Sequence, residues 1–240
     1  MTDPAYEAIC QRIWALYQEV GAEPVQGGGP RNILFPPPRR DGPVAVLLVG
    51  ISQNQRASVG YVHTYEGLKD LARKFEYVSG GGGPAGLYYD SYYQSLLWFV
   101  QRVNKPFGVW WQVERGTHHL LVEFTDAFHI ATDGADDLKQ FIPPRMLDDP
   151  VRRACKEILE MEVVYYEPKV VIGSGRLPSD LLWEICTGNP VGPSPTVAMI
   201  PDSRFGCSVH LSGFITSKSM DAYSKARLVR ELKEHSPFAG

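Results

Sequence analysis

Val44-Ala45-Val46-Leu47-Leu48-Val49 is a continuous apolar run closed by Gly50. A strand with one wet face alternates apolar and polar residues. A run with no polar member reads as a strand buried on both faces, the habit of parallel sheets covered by helices. Three further runs read as strands: His119-Leu120-Leu121-Val122-Glu123-Phe124, Lys169-Val170-Val171-Ile172 ending at Gly173, and Thr196-Val197-Ala198-Met199-Ile200. Helical patterns lie around them. Asp3 and Pro4 open a first helix whose Ile9, Ile13, Leu16, Tyr17 and Val20 form one stripe up to Gly21. Residues 63–76 read as helix. After the Gly-rich loop at 79–84, Tyr88, Tyr89, Tyr92, Tyr93, Trp98 and Phe99 mark an aromatic helix. Asp149-Pro150 starts another, with Val151, Cys155, Ile158 and Leu159 as its stripe, and residues 177–185 and 220–233 complete the set. Strands alternating with helices predict an α/β fold: a three-layer α/β/α sandwich, one domain over residues 1–240, with a mostly parallel sheet of about four strands. Residues 22–43 hold Gly27-Gly28-Gly29-Pro30 and Pro36-Pro37-Pro38, and predict an irregular extended stretch over the surface.

Composition narrows the classes of function. With 44% hydrophobic and 21% charged residues the 240-residue chain can bury a core without disulfides or metal. It has no apolar run near the length of a membrane span, and its start, Met1-Thr2-Asp3-Pro4, resembles no secretory signal, so a soluble, cytoplasmic or nucleoid-associated monomer without a membrane partner is expected. The net charge of −3 means that any nucleic-acid binding rests on a local basic patch. Cys10, Cys155, Cys186 and Cys207 are scattered, with no pair at zinc-ligand spacing, and read as buried, reduced thiols.

In parallel sheets ligands bind outside the carboxyl ends of the strands, so residues 50–55, 125–129, 173–176 and 201–212 carry the candidate site. Gly50 lets backbone approach a ligand, and Ile51-Ser52-Gln53-Asn54-Gln55 offers uncharged groups that bind a neutral polar partner or orient a water; the alternative is a polar turn. In Thr125-Asp126-Ala127-Phe128-His129, Asp126 is a hydrogen-bond acceptor for a ligand and Phe128 a stacking ring, or else a helix cap and a core aromatic. Gly173-Ser174-Gly175-Arg176 opens a helix whose N-terminus suits an anion, although it lacks both the P-loop lysine and the full dinucleotide fingerprint. His210, in Ser208-Val209-His210-Leu211-Ser212-Gly213-Phe214-Ile215, is read in a late loop beyond the fourth strand, where a histidine is a functional candidate.

Taken in order, these segments resemble the uracil-DNA glycosylase superfamily over about residues 44–233. The family ends its first strand in a Gly-containing motif that positions the attacking water; here that stretch is Val46-Leu47-Leu48-Val49-Gly50-Ile51-Ser52-Gln53-Asn54. Its next strand ends in a Thr-Asn-like pair whose amide reads the flipped base; here it is Phe124-Thr125-Asp126-Ala127-Phe128-His129. A helix, Pro-Lys-Val-Ile-Val and a Gly turn follow in the family, matched by 150–159, Glu167-Pro168-Lys169-Val170-Val171-Ile172-Gly173-Ser174-Gly175 and Leu181-Leu182. The closing His-Pro-Ser is matched by His210-Leu211-Ser212-Gly213. Three positions depart. Ser52 stands where the family has Asp, Asn or Glu, with Asn54 two residues on; Asp126 replaces the amide; Leu211 replaces proline. Some branches carry an iron–sulfur cluster, and Cys155 falls near one ligand position, but the N-terminal cysteine pair is absent, so neither cluster nor other cofactor is expected.

The resemblance implies a DNA base glycosylase of base excision repair, which flips a nucleotide and cleaves its N-glycosidic bond. Ser52, Asn54 and His210 are then the catalytic group, with His210 donating a hydrogen bond to the departing base, an interaction worth ~3 kcal/mol. Gly50, Ile51, Gln53, Asp126 and Phe128 hold the base. Ser174, Arg176, Ser212, Gly213 and Phe214 meet single- or double-stranded DNA, with Phe214 or Ile215 as a wedge and Lys218, Lys225, Arg227 and Arg230 near phosphates. An ionised Asp126 only accepts hydrogen bonds and predicts a base with an exocyclic amine; a protonated Asp126 in a dry pocket escapes that restriction. Two other readings stay open. A non-catalytic nucleic-acid or nucleotide binder on the same fold fits the weakened first motif. A serine hydrolase fits the chain order Ser52, Asp126, His210, against which stand Asn54 in place of the elbow's second glycine and the lack of strands before the first.

Overall fold

A computed structural model of the protein describes residues 3–21, 31–33, 35–39, 44, 46–54, 64–73, 122–132, 135–143, 147–190, 197–200 and 202–212. The loop at 79–84, the aromatic helix at 88–99, the last helix at 220–233 and the basic residues on it lie outside these residues, as do Gln55, Gly213, Phe214, Ile215 and Lys218.

Local chemistry starts the long helices where the caps stand. Helix α1 (Pro4–Leu16) is capped by Asp3, whose side chain accepts from the Ala5 amide at 2.9 Å. It passes into one wider π turn, Tyr17–Gly21. Helices α2 (Tyr65–Arg73) and α3 (Ala135–Phe141) are short. Helix α4 (Pro150–Tyr166) repeats the Asp-Pro start, with Asp149 accepting from the Arg152 amide at 2.9 Å, and α5 (Arg176–Thr187) follows the third strand. Among the described residues no helix is long and apolar enough to cross a membrane.

The sheet has five strands: β1 (Val46–Asn54), β2 (Val122–Thr132), β3 (Val170–Ser174), β4 (Val197–Ile200) and β5 (Ser208–Ser212). Their order is β2-β1-β3-β5-β4; the first four neighbours run parallel and β4 closes the edge antiparallel to β5. The chain moves to one side of β1 to make β2 and to the other to make β3, so the switch point of the sheet lies between β1 and β3. Leu47, Val49, Val171, Val209 and Leu211 point to the face on which α1, α4 and α5 build one core. Leu48, Ile172 and His210, one register row on the opposite face, are buried too. The α/β class and the mainly parallel sheet are as expected. Helices α1, α4 and α5 cover one face of the sheet, and Phe141 of α3 packs on Phe128 of the other.

Three boundaries differ from the expectation, for one shared reason. Strand β1 runs on to Asn54, so 50–54 is strand and not turn; β2 runs from Val122 to Thr132, so 125–129 is its interior and not the loop after it; and 208–212 is a fifth strand, not a loop. Each extension carries polar residues that read as loop in isolation but are partnered across the fold. Residues 31–37 also differ: Arg31, Asn32, Ile33, Phe35, Pro36 and Pro37 are buried rather than laid over the surface. Arg31 makes two bonds to Asp137, at 2.6 and 2.8 Å, and the Tyr6 and Tyr166 hydroxyls donate to the carbonyls of Pro36 and Pro37.

Candidate functional site

The carboxyl ends of β1, β2 and β3 meet at one edge of the sheet. Gly50 pairs with Asp126, and Ser52 with Phe128. Beyond β3 the chain turns through Gly175, whose φ of +105 only glycine adopts readily; a Cβ there would lie 2.7 Å from the Ile51 side chain. The ends of β1 and β3 are therefore in contact at the switch point. Gly175 caps α5 with no side-chain hydrogen bond, so the first amides of that helix face the same edge. Arg176 opens the helix, two-thirds exposed, with Asp180 at 3.5 Å.

Asp126 lies within β2, beside Gly50 of β1. It is 9% exposed. Its neighbour in β1 is Gly50, which puts no side chain beside it. Burial pushes its carboxyl up from 3.8 to about 7, with His129 opposing the rise and Glu162 adding to it. The rise favours the neutral form of Asp126, which donates one hydrogen bond and accepts another. The dry-pocket alternative open in the sequence is thus the one the structure favours.

On the helix side of β2, Glu162 of α4 is fully buried. It accepts a hydrogen bond from the Thr125 hydroxyl at 2.8 Å and lies 3.0 Å from His129 Nε2. Sequence reasoning missed Glu162, yet a signal was present. It falls four residues after Ile158 and three after Leu159, a charge on the apolar stripe of its helix.

Other candidates are placed differently from their expected roles. The Ser52 hydroxyl is engaged with Thr132 Oγ1 at 2.7 Å, across an irregularity in the β1–β2 register. His210 sits in mid-strand, fully buried, in the row of Leu48 and Ile172. Four residues along and two strands across separate that row from Ser52, roughly 13 Å by 10 Å. His210 is therefore not brought to the 50–54 segment, and the hydrolase order Ser52, Asp126, His210 is not a triad. Phe128 is a core ring, 5.4 Å from Phe141, and not a stacking face. For Gln53, Asn54, Ser174 and Ser212 the strand positions are described, the first two at the end of β1 and the others at the ends of β3 and β5.

Among the described residues no group of three or more His, Cys, Asp and Glu could hold a metal ion. Burial pushes the thiols of Cys10, Cys155 and Cys186 up to about 12, so they are poor thiolate ligands. The sequence matches no protein-family model and no curated protein.

Proposed function

We propose that the protein is a DNA base glycosylase that excises a flipped base presenting a carbonyl beside a ring N–H. The observation that carries this reading is the buried Asp126 carboxyl, its titration pushed up by burial, beside Gly50 in the parallel β1–β2 pair and level with the end of β3. The resemblance places a base-reading amide at this position. A neutral carboxylic acid has the amide's pattern, one donor and one acceptor on adjacent atoms, and so answers a base carbonyl and its neighbouring N–H together. Uracil, hypoxanthine and xanthine all carry that edge. Gly50 and Ile51 line the approach, Asn54 orients the attacking water, and the N-terminus of α5 with Arg176 meets a phosphate. In the reaction the water oxygen bonds to C1′ as the C1′–N bond breaks, the base leaves with the bonding electron pair, and the proton the water loses to solvent is matched by one the departing base takes up.

A second reading is favoured by one contact. Ser52 is engaged with Thr132 and is no base, which suits a protein that holds a nucleic acid or nucleotide without cleaving it. One experiment separates them: binding and base release measured in parallel on single- and double-stranded oligonucleotides containing uracil, hypoxanthine, xanthine or methylated bases. Release of a carbonyl-edged base, falling as pH rises through about 7, supports the glycosylase. Tight binding with no release on any substrate overturns it in favour of the binder.

A further inference from the structure

We propose that Glu162 is a positioning residue, which grips Thr125 and His129 from the helix side of β2 and so fixes the direction of Asp126 between them on the other side. The inference rests on the reading of Asp126 as the group that meets the base. Its geometry stands apart from that reading. Thr125 and His129 are the residues one before and three after Asp126, and both side chains converge on Glu162 Oε1. Successive strand residues point to opposite faces, so a hold on 125 and 129 sets the strand segment that aims 126 the other way. Glu162 is fully enclosed, and its Oε2 has no hydrogen-bond partner among the described residues. A buried carboxyl with one unsatisfied oxygen is a costly residue where a leucine would continue the stripe of α4.

The charged and titratable neighbours sort by element. From β2 come Glu123, Asp126 and His129, all buried. From α1 comes Cys10, on which Glu162 acts. On α5, Glu184 is paired with Arg152 of α4 and Asp180 faces Arg176. On α3, Asp137 is paired with Arg31. Gly50, Ile51 and Ser52 of β1 bring none. His129 and Glu162 are thus the groups that act on Asp126 besides its burial.

The test uses the full chain and two readouts: the Asp126 carboxyl titration by carbon NMR, and single-turnover release of the base found above. Glu162→Leu keeps volume and removes the grip. Its Asp126 midpoint is expected to move from about 7 toward 3.8 as water enters, with release slowed about 10- to 100-fold. Glu162→Gln, which keeps an acceptor oxygen for Thr125, is expected to recover most of both. Should Glu162→Leu fail to fold, Thr125→Val, which deletes one bond at constant shape, decides: a midpoint at least half a unit below the parent's supports the grip. An unmoved midpoint in the folded variants overturns it. If no oligonucleotide is cleaved but the midpoint still moves in Thr125→Val, which leaves the Glu162 charge in place, the glycosylase reading fails and the positioning role stands.

Discussion

Replacing Asp126 with Asn removes an ionisable group that folding takes out of water. The carboxyl titrates at about 7 in the folded chain against an ordinary 3.8. With the folded pKa raised, the folded state holds the proton more tightly than the unfolded one. Ionisation therefore costs no stability below 3.8, costs progressively more up to about 7, and is constant above that. At 1.36 kcal/mol per unit the penalty is about 1.6 kcal/mol at pH 5 and about 4 kcal/mol at pH 8. Asn carries none of it, so Asp126→Asn should gain about 2.5 kcal/mol more, relative to the parent, at pH 8 than at pH 5. For a chain of this length that difference is a shift in Tm of roughly 5–10 °C. Urea or thermal unfolding of both proteins at both pH values measures it. Whatever the amide gains or loses in hydrogen bonds is the same at the two pH values and cancels in the difference. Equal effects at pH 5 and pH 8 would refute the raised titration and with it the neutral carboxyl at the sheet edge.

Gly175→Ala forces a side chain into φ +105 and against Ile51, and should cost about 1–3 kcal/mol in chemical denaturation; a near-neutral effect would deny the close approach of β1 and β3. Arg152→Ala leaves Glu184 enclosed without its cation and should cost about 3–5 kcal/mol, read as a lowered unfolding midpoint; an unchanged midpoint would show the pair to be solvated. His210→Ala opens a hole in the sheet face and should cost about 2–4 kcal/mol of stability. If stability is kept while base release falls about 100-fold, His210 is the leaving-group donor after all and reaches the reacting base.

Much of the fold was legible because it is local. Asp3-Pro4 and Asp149-Pro150 each place a cap and a permitted proline at a helix start, and both helices begin there. The apolar centres of β1 and β3 were legible because a strand covered on both faces has to be apolar. The strand ends were not. Ser52 finds its partner in Thr132, eighty residues away, and Thr125 finds Glu162. Without those partners a polar run after an apolar one reads as a turn. Strand β5 failed for the same reason, since Ser208 and Ser212 flank His210 like loop residues, while their pairing with Val170 and Ser174 makes them strand. Of the candidate residues, Gly175 lies in the turn after β3, whereas Gly50, Asp126, Phe128 and His210 lie within strands.

The composition of β2 bears on function independently of any resemblance. Glu123, Thr125, Asp126, His129 and Thr132 are all buried within one strand of eleven residues. Each buried polar group left without a partner costs about 1–3 kcal/mol, so stability alone would have filled these positions with valine and isoleucine. On the helix side the demand is met by Glu162, which is itself an added buried charge and so shifts the cost rather than removing it. On the other side, burial raises the Asp126 carboxyl and favours its protonated form. A carboxyl kept neutral by burial offers a hydrogen-bond donor to an incoming carbonyl with no proton to be fetched from solvent. A strand built this way is a poor structural member, and under the proposed function the side chain facing the bare Gly50 is the one that would exchange hydrogen bonds with the base.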